Sequence, residues 1–176
     1  MSKAKKTRVI TFRLDEETIE KLKKESEHQD LSINNFVNLI LKRYFEWDIY
    51  ETSIEMIPVA KSILRELFNN MTKEQIHNIA MGSGKKSVRD IILFITKKID
   101  ANTFFSVYKT RMKNSAVDIK HTVENVTNHT YIIKHDLGQN WSFFQKIIIE
   151  SIFHEYIKKP IDIKISENIV IIKYDE

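Results

Sequence analysis

The sequence predicts two parts of different fold class: a one-strand, two-helix module over residues 1–47 and an α+β domain over residues 48–176. Two observations predict the module. One is a short strand in which apolar and polar residues alternate, and the other is the pair of capped amphipathic helices that follows it. A third predicts the domain, because beyond about residue 116 the apolar period changes from that of helices to a period of two. We therefore expect a small N-terminal module joined to a larger mixed domain.

The chain has 176 residues, of which 42% are hydrophobic and 30% charged, a balance typical of globular proteins. It contains no cysteine, which excludes disulfides, thiolate metal sites and thiol nucleophiles. No apolar run approaches the ~20 residues that span a bilayer, so we expect a soluble, cytoplasmic protein without membrane contact. The net charge of +4 is small, but a basic arm precedes the first acidic residue. This arm contains Lys3, Lys5, Lys6, Arg8 and Arg13.

The first predicted element is a strand over residues 9–14. Its alternation assigns one face to Ile10, Phe12 and Leu14. The opposite face carries Val9, Thr11 and Arg13. One strand cannot satisfy its own backbone hydrogen bonds, and a module of this size is too small to bury a core alone. The apolar face is therefore expected to pair with the same strand of a second copy.

Two helices follow the strand. Asp15 reads as the N-cap of a helix that continues to His28, and Ser32 reads as the N-cap of a second helix with an apolar stripe. The second helix adds side chains to the core that two copies would share. The predicted dimer core consists of Ile10, Phe12, Leu14, Phe36 and Ile40.

The order of these elements resembles a known family. Residues 8–17, a helix, residues 31–36 and a second helix are similar to the ribbon-helix-helix family, which includes the Arc, methionine and CopG repressors. The resemblance covers residues 5–47, roughly a quarter of the chain. It implies a homodimer, or a tetramer of two dimers, whose two-stranded ribbon enters the major groove of double-stranded DNA. The function it implies is sequence-specific transcription regulation, as a repressor.

The resemblance also implies roles for particular residues. The outward strand face would read bases, with Arg13 forking onto guanine, Thr11 hydrogen-bonding a base edge, and Val9 making apolar contact only. The expected phosphate contacts are Lys5, Lys6, Arg8, Ser32, Ile33 and Asn34. Many family members carry a glycine in the turn before the serine, where this chain has Gln29 and Asp30.

The second part is predicted as helices followed by a ββαββ unit. The predicted helices cover residues 59–71, a short segment from Thr72, and residues 87–114, with a glycine-dense turn at residues 81–84. The ββαββ unit has strands at 117–123, 130–134, 161–165 and 169–174 and a helix at 141–158. Such an order suits an antiparallel sheet covered by helices. We expect this domain to serve oligomerisation, effector binding or partner binding.

Three features invite a chemical reading. The segment 82–87 resembles a phosphate-binding loop but lacks the first glycine of the required spacing, so a capped turn is expected. His121, His129 and His135 could approach one another, as in nickel-responsive regulators with the same module, but those use a cysteine that is absent here. His135 and Asp136 form half of a catalytic relay without a nucleophile at meaningful spacing. We therefore expect no metal, no cofactor and no enzymatic activity.

Two alternatives to a DNA-binding regulator remain open at this point. The first is an antitoxin-like interaction protein, in which the second domain binds another protein and the first controls transcription. The second is a sensor that responds to a small molecule or a metal ion. A stoichiometric protein partner would favour the former, and a ligand that shifts thermal stability would favour the latter.

Overall fold

A computed structural model describes residues 7–51, 53–54 and 56–176. The chain divides into two compact units, Met1–Glu46 and Trp47–Glu176, whereas the sequence places the boundary one residue later. Within the described ranges no helix combines the length and apolar character that crossing a bilayer requires.

The first unit contains two capped helices. Helix α1 (Glu16–His28) begins at Asp15, whose carboxylate accepts a hydrogen bond of 2.8 Å from the Thr18 amide. Helix α2 (Ile33–Arg43) begins at Ser32. In the turn between them Asp30 adopts a left-handed φ of 53°, and the Leu31 amide donates to the Ser26 carbonyl at 2.8 Å. Glycine usually takes the left-handed position that follows a helix, and here Asp30 takes it. This explains how the turn forms without a glycine.

The predicted strand over residues 9–14 does not form in the single chain. Residues 7–14 carry no regular secondary structure, and among the described residues no strand precedes residue 118. A strand forms only where its amides and carbonyls hydrogen-bond to a neighbouring strand. Apart from residues 7–14 and the turns, the described part of this unit contains only helices. A strand over residues 9–14 would need a partner strand that the described part of this unit does not contain.

The second unit contains helices over most of its first half and a further helix between its two hairpins. Their bounds are α3 (Ile49–Glu51), α4 (Lys61–Asn69), α5 (Lys73–Ile79), α6 (Lys85–Thr96), α7 (Ala101–Asn114) and α8 (Gln139–Ile152). The prediction of one helix over residues 87–114 is wrong, because α6 ends at Lys97 with a left-handed φ of 62°. Helix α7 then starts anew at Asp100, whose carboxylate accepts from the Thr103 amide while the Thr103 hydroxyl accepts from the Asp100 amide.

The predicted glycine-dense turn at residues 81–84 is also wrong, because these residues are helical. A π-helical turn (Ala80–Gly84) joins α5 directly to α6, and α5, the turn and α6 all contact α8. A Cβ atom on Gly84 would lie 2.9 Å from Ile148 Cδ1 and 3.1 Å from the Ile79 carbonyl oxygen. The glycine therefore serves a close approach between two helices rather than a chain reversal.

The sheet confirms the predicted ββαββ order. Its strands are β1 (Asp118–Glu124), β2 (Asn128–Lys134), β3 (Asp162–Ile165) and β4 (Ile169–Asp175). They pair antiparallel in the order β1-β2-β4-β3, so that β1 and β3 form the two edges. Helix α7 contacts β1, and α8 contacts β3 and β4, which covers one face of the sheet. The chain is thus an α+β protein with a four-stranded antiparallel sheet.

Aromatic rings join α7 to the covered face of the sheet. The Phe105 ring stacks on the Tyr131 ring at a centroid distance of 3.8 Å and on the Tyr174 ring at 5.1 Å. His121 stacks on Tyr131 at 4.1 Å, and His129 on Tyr174 at 4.9 Å. All except His121 are buried, so these rings form the end of the hydrophobic core nearest the β1–β2 hairpin turn.

Candidate nucleic-acid interface

The three residues predicted to read bases are all solvent-exposed. Val9 is 96% exposed, and Thr11 and Arg13 are also exposed. They alternate with the three residues of the predicted apolar face, so a strand over residues 9–14 would present them together on its other side. Lys5 and Lys6 lie outside the described residues.

The predicted dimer core is mostly uncovered in the single chain. Phe36 is buried, with 8% of its surface exposed. The others are exposed by 72% at Ile10, 60% at Phe12, 44% at Leu14 and 43% at Ile40. Apolar surface of this size in a small unit costs free energy in water, and none of the described residues of this unit covers it.

The start of α2 places backbone amides toward solvent. The Ser32 side chain accepts a hydrogen bond of 3.2 Å from the Asn35 amide, which leaves the amides of Ile33 and Asn34 without an intrahelical acceptor. Both residues are exposed. Amides at a helix N-terminus, together with the helix dipole, form a favourable position for an anion. Ser32, Ile33 and Asn34 thus lie at a capped helix start, and their contact with a phosphate stays a prediction.

Two arginines in and beside the predicted strand make no polar contact within the described residues. Arg8 and Arg13 are exposed, and within the described residues neither makes a hydrogen bond or an ion pair. Asp15 is engaged elsewhere: hydrogen bonds from the Thr18 amide and hydroxyl lower the pKa of its carboxyl, which keeps it ionised at the helix start. On α1, Lys21 pairs with Glu17 at 2.5 Å, so that lysine belongs to the helix surface.

A serine lies beside His135, which the sequence analysis did not anticipate. His135 Nε2 is 2.8 Å from Ser142 Oγ, and the Leu137 amide donates to His135 Nδ1 at 3.1 Å. Because Nδ1 accepts, the neutral imidazole carries its proton on Nε2 and donates it to the serine. His135 therefore cannot remove the Ser142 proton, and the serine is fully buried.

This buried pair is structural. Burial lowers the pKa of His135 to about 4, so the neutral imidazole is the form that the folded chain holds at neutral pH. The pair connects the end of β2 to the first turn of α8. Nearby, the Asn140 side chain donates to the carbonyls of Phe68 and Met71, which fixes the end of α4 to the same turn.

Two of the three predicted histidines meet, and the third does not. His121 Nε2 is 3.0 Å from His129 Nδ1, and His129 Nε2 is 3.2 Å from a carboxylate oxygen of Glu176. A carboxylate only accepts, so His129 carries its proton on Nε2 and its Nδ1 accepts from His121. Hydrogen bonds from Asn102 and His129 lower the pKa of Glu176, while burial and the Lys109 charge lower that of His121. Sequence reasoning missed Glu176 because it lies 47 residues from His129.

Within the described residues no group of three or more histidine, aspartate or glutamate side chains could hold a metal ion. Comparisons with protein-family models, with curated proteins and with solved structures find no match for the chain. The residues themselves are therefore the basis for assigning a function.

Proposed function

We propose that this protein is a sequence-specific DNA-binding regulator that acts as a homodimer through its first unit. The observation that carries the proposal is the exposed apolar face of Ile10, Phe12 and Leu14, which alternates with Val9, Thr11 and Arg13 directly before two capped helices. A second copy would cover the apolar face and supply the missing strand partner at the same time.

The paired strands would act as the reading element. A two-stranded ribbon fits the major groove, where each base pair presents its own pattern of donors and acceptors. Arg13 has five donors in a planar fork that matches O6 and N7 of guanine, and Thr11 can donate, accept or present its methyl group. Val9 contributes apolar contact only, so we expect the strongest base preference to come from Arg13.

The helices would hold the ribbon in position. The exposed amides of Ile33 and Asn34, with Ser32 as the cap, would bind a backbone phosphate on each side of the ribbon. Arg8 and the lysines of the basic arm, Lys5 and Lys6, would contact further phosphates. These contacts carry no sequence information but fix the ribbon in the groove, and they make affinity fall steeply as salt rises.

Selection from a random duplex library tests the proposal, with the intact chain compared with Arg13→Ala. The intact chain is expected to enrich a palindromic or repeated motif, and Arg13→Ala to lose about 1–3 kcal/mol of affinity for that motif with relaxed preference. Lys24→Ala is the matched control, because Lys24 is an exposed cation on α1 that the proposal gives no role in base reading. Enrichment of the same motif, with the same affinity, by Arg13→Ala would contradict the assigned reading face.

A further inference from the structure

The two edges of the sheet differ in how well they are protected against pairing. Edge strand β3 is four residues long and follows Pro160, and both features limit the addition of another strand. Edge strand β1 is seven residues long and contains no proline, and the whole strand pairs with β2 in an unbroken register. Within the described residues its backbone bonds to no strand except β2. One long edge is therefore open.

Two opposite charges on β1 have no ion-pair partner within the described chain. Lys120 and Glu124 are exposed on the uncovered face, and their neighbours on β2 are Ile132 and Asn128. A lysine on an edge strand usually prevents pairing, because an incoming strand must bury or oppose its charge. That protection fails only where the incoming strand brings an acidic residue opposite the lysine.

We propose that β1 pairs antiparallel with β1 of a second copy, with Thr122 at the two-fold axis. In this register Lys120 faces Glu124 of the second copy, and the contact occurs twice. Val123, whose side chain is 48% exposed on the other face, meets His121 of the second copy. Oppositely charged pairs and pairs of an aromatic ring with a β-branched side chain both stabilise a sheet. The two four-stranded sheets become one sheet of eight strands.

Other registers are less favourable. A two-fold axis perpendicular to the sheet must pass midway between the two copies of one β1 residue, so that facing side chains lie on the same face of the sheet. With the axis at His121, Asp118 faces Glu124 of the second copy, and like charges repel twice. With the axis at Lys120, the two lysines face each other. An axis nearer either end leaves at most three residues of each strand in overlap. The charges on β1 therefore select the register centred on Thr122.

Single cysteines test this register directly, because the natural chain has none. In the full chain, the two Thr122→Cys positions would lie about 4.5–5.5 Å apart at Cα, a distance that a disulfide spans. Asp118→Cys is the matched control on the same strand and face, because its charge makes no pair in this register and its two positions would lie about 26 Å apart. On mild oxidation we expect covalent dimers of Thr122→Cys to form about tenfold or more faster than those of Asp118→Cys. Equal rates, or faster cross-linking of Asp118→Cys, would overturn the proposal.

Charge exchange in the Thr122→Cys background gives an independent readout. Lys120→Glu alone and Glu124→Lys alone each place like charges opposite each other, so both are expected to slow the cross-link, and the double exchange is expected to restore it. Restoration also shows that the single variants did not simply unfold. Unchanged rates in the single variants, or no recovery in the double one, would refute the register. None of these outcomes depends on DNA binding, so the proposed function stands or falls separately.

Discussion

The most direct test of the dimer that we propose is Phe12→Ala. Phe12 is 60% exposed in the single chain. Full burial of a phenylalanine side chain stabilises by about 1.5–3 kcal/mol, so covering the remaining surface is worth about 1–2 kcal/mol per chain. Two copies contribute to each dimer, which gives about 2–4 kcal/mol. The dimer Kd of Phe12→Ala is therefore expected to rise by about 30- to 700-fold.

The assay is sedimentation equilibrium over a dilution series. It is performed in the Lys120→Glu background, so that pairing through β1 does not contribute to association. Val9→Ala is the matched control, because Val9 is 96% exposed and lies on the opposite strand face. Its dimer Kd should stay within about threefold of the background. A Phe12→Ala dimer as tight as the background, or an equal loss in Val9→Ala, would refute the assigned strand phase.

Two further predictions concern stability. The pKa of His135 is about 4 in the folded chain and 6.5 in the unfolded one, so the unfolded chain binds the extra proton, and stability falls as the pH drops from about 6.5 to 4. Over this pH range the free energy of unfolding measured in urea should fall by about 3 kcal/mol more in the unmodified protein than in His135→Asn. Equal losses in the two proteins would exclude His135 as the cause. Gly84→Ala should lower the free energy of unfolding in urea by about 1–2 kcal/mol, because the new Cβ would meet Ile148 and a carbonyl oxygen. Gly82→Ala should raise it by about 0.5–1 kcal/mol, because its Cβ would have nothing within 4 Å. Equal effects of the two glycine changes would contradict the close approach at Gly84.

Local sequence signals predicted the parts of the fold that depend on neighbouring residues. Asp15 and Ser32 cap helices because each side-chain oxygen reaches an amide three residues ahead. The two hairpins followed from the period of two and from the short turns between their strands. Those interactions are complete within a few residues, so a linear reading captures them.

The features that the sequence did not reveal depend on how the chain folds, or on a local signal that a longer apolar pattern hides. His129 pairs with Glu176 through a register that joins β2 to β4, and no pattern in either segment points to the other. The contact between Ser142 and His135 depends on how the chain turns between β2 and α8, and no sequence pattern in this segment predicts it. The break between α6 and α7 was missed because apolar residues continue through it, although Asp100 and Thr103 carry the spacing of a capping box.

The π-helical turn at Ala80–Gly84 has a consequence for how this segment can change in evolution. Inward positions along the segment follow a spacing of four: Ile76, Ala80, Gly84, Val88 and Ile92. On a straight α-helix, residues four apart are rotated by about 40° around the helix axis at each step. Such a stripe would no longer face α8 after a few turns. The wider turn absorbs that drift, so loss of one residue there would rotate α6 by about 100° and turn its apolar side away. Length in this segment is therefore constrained more tightly than the identity of its exposed residues.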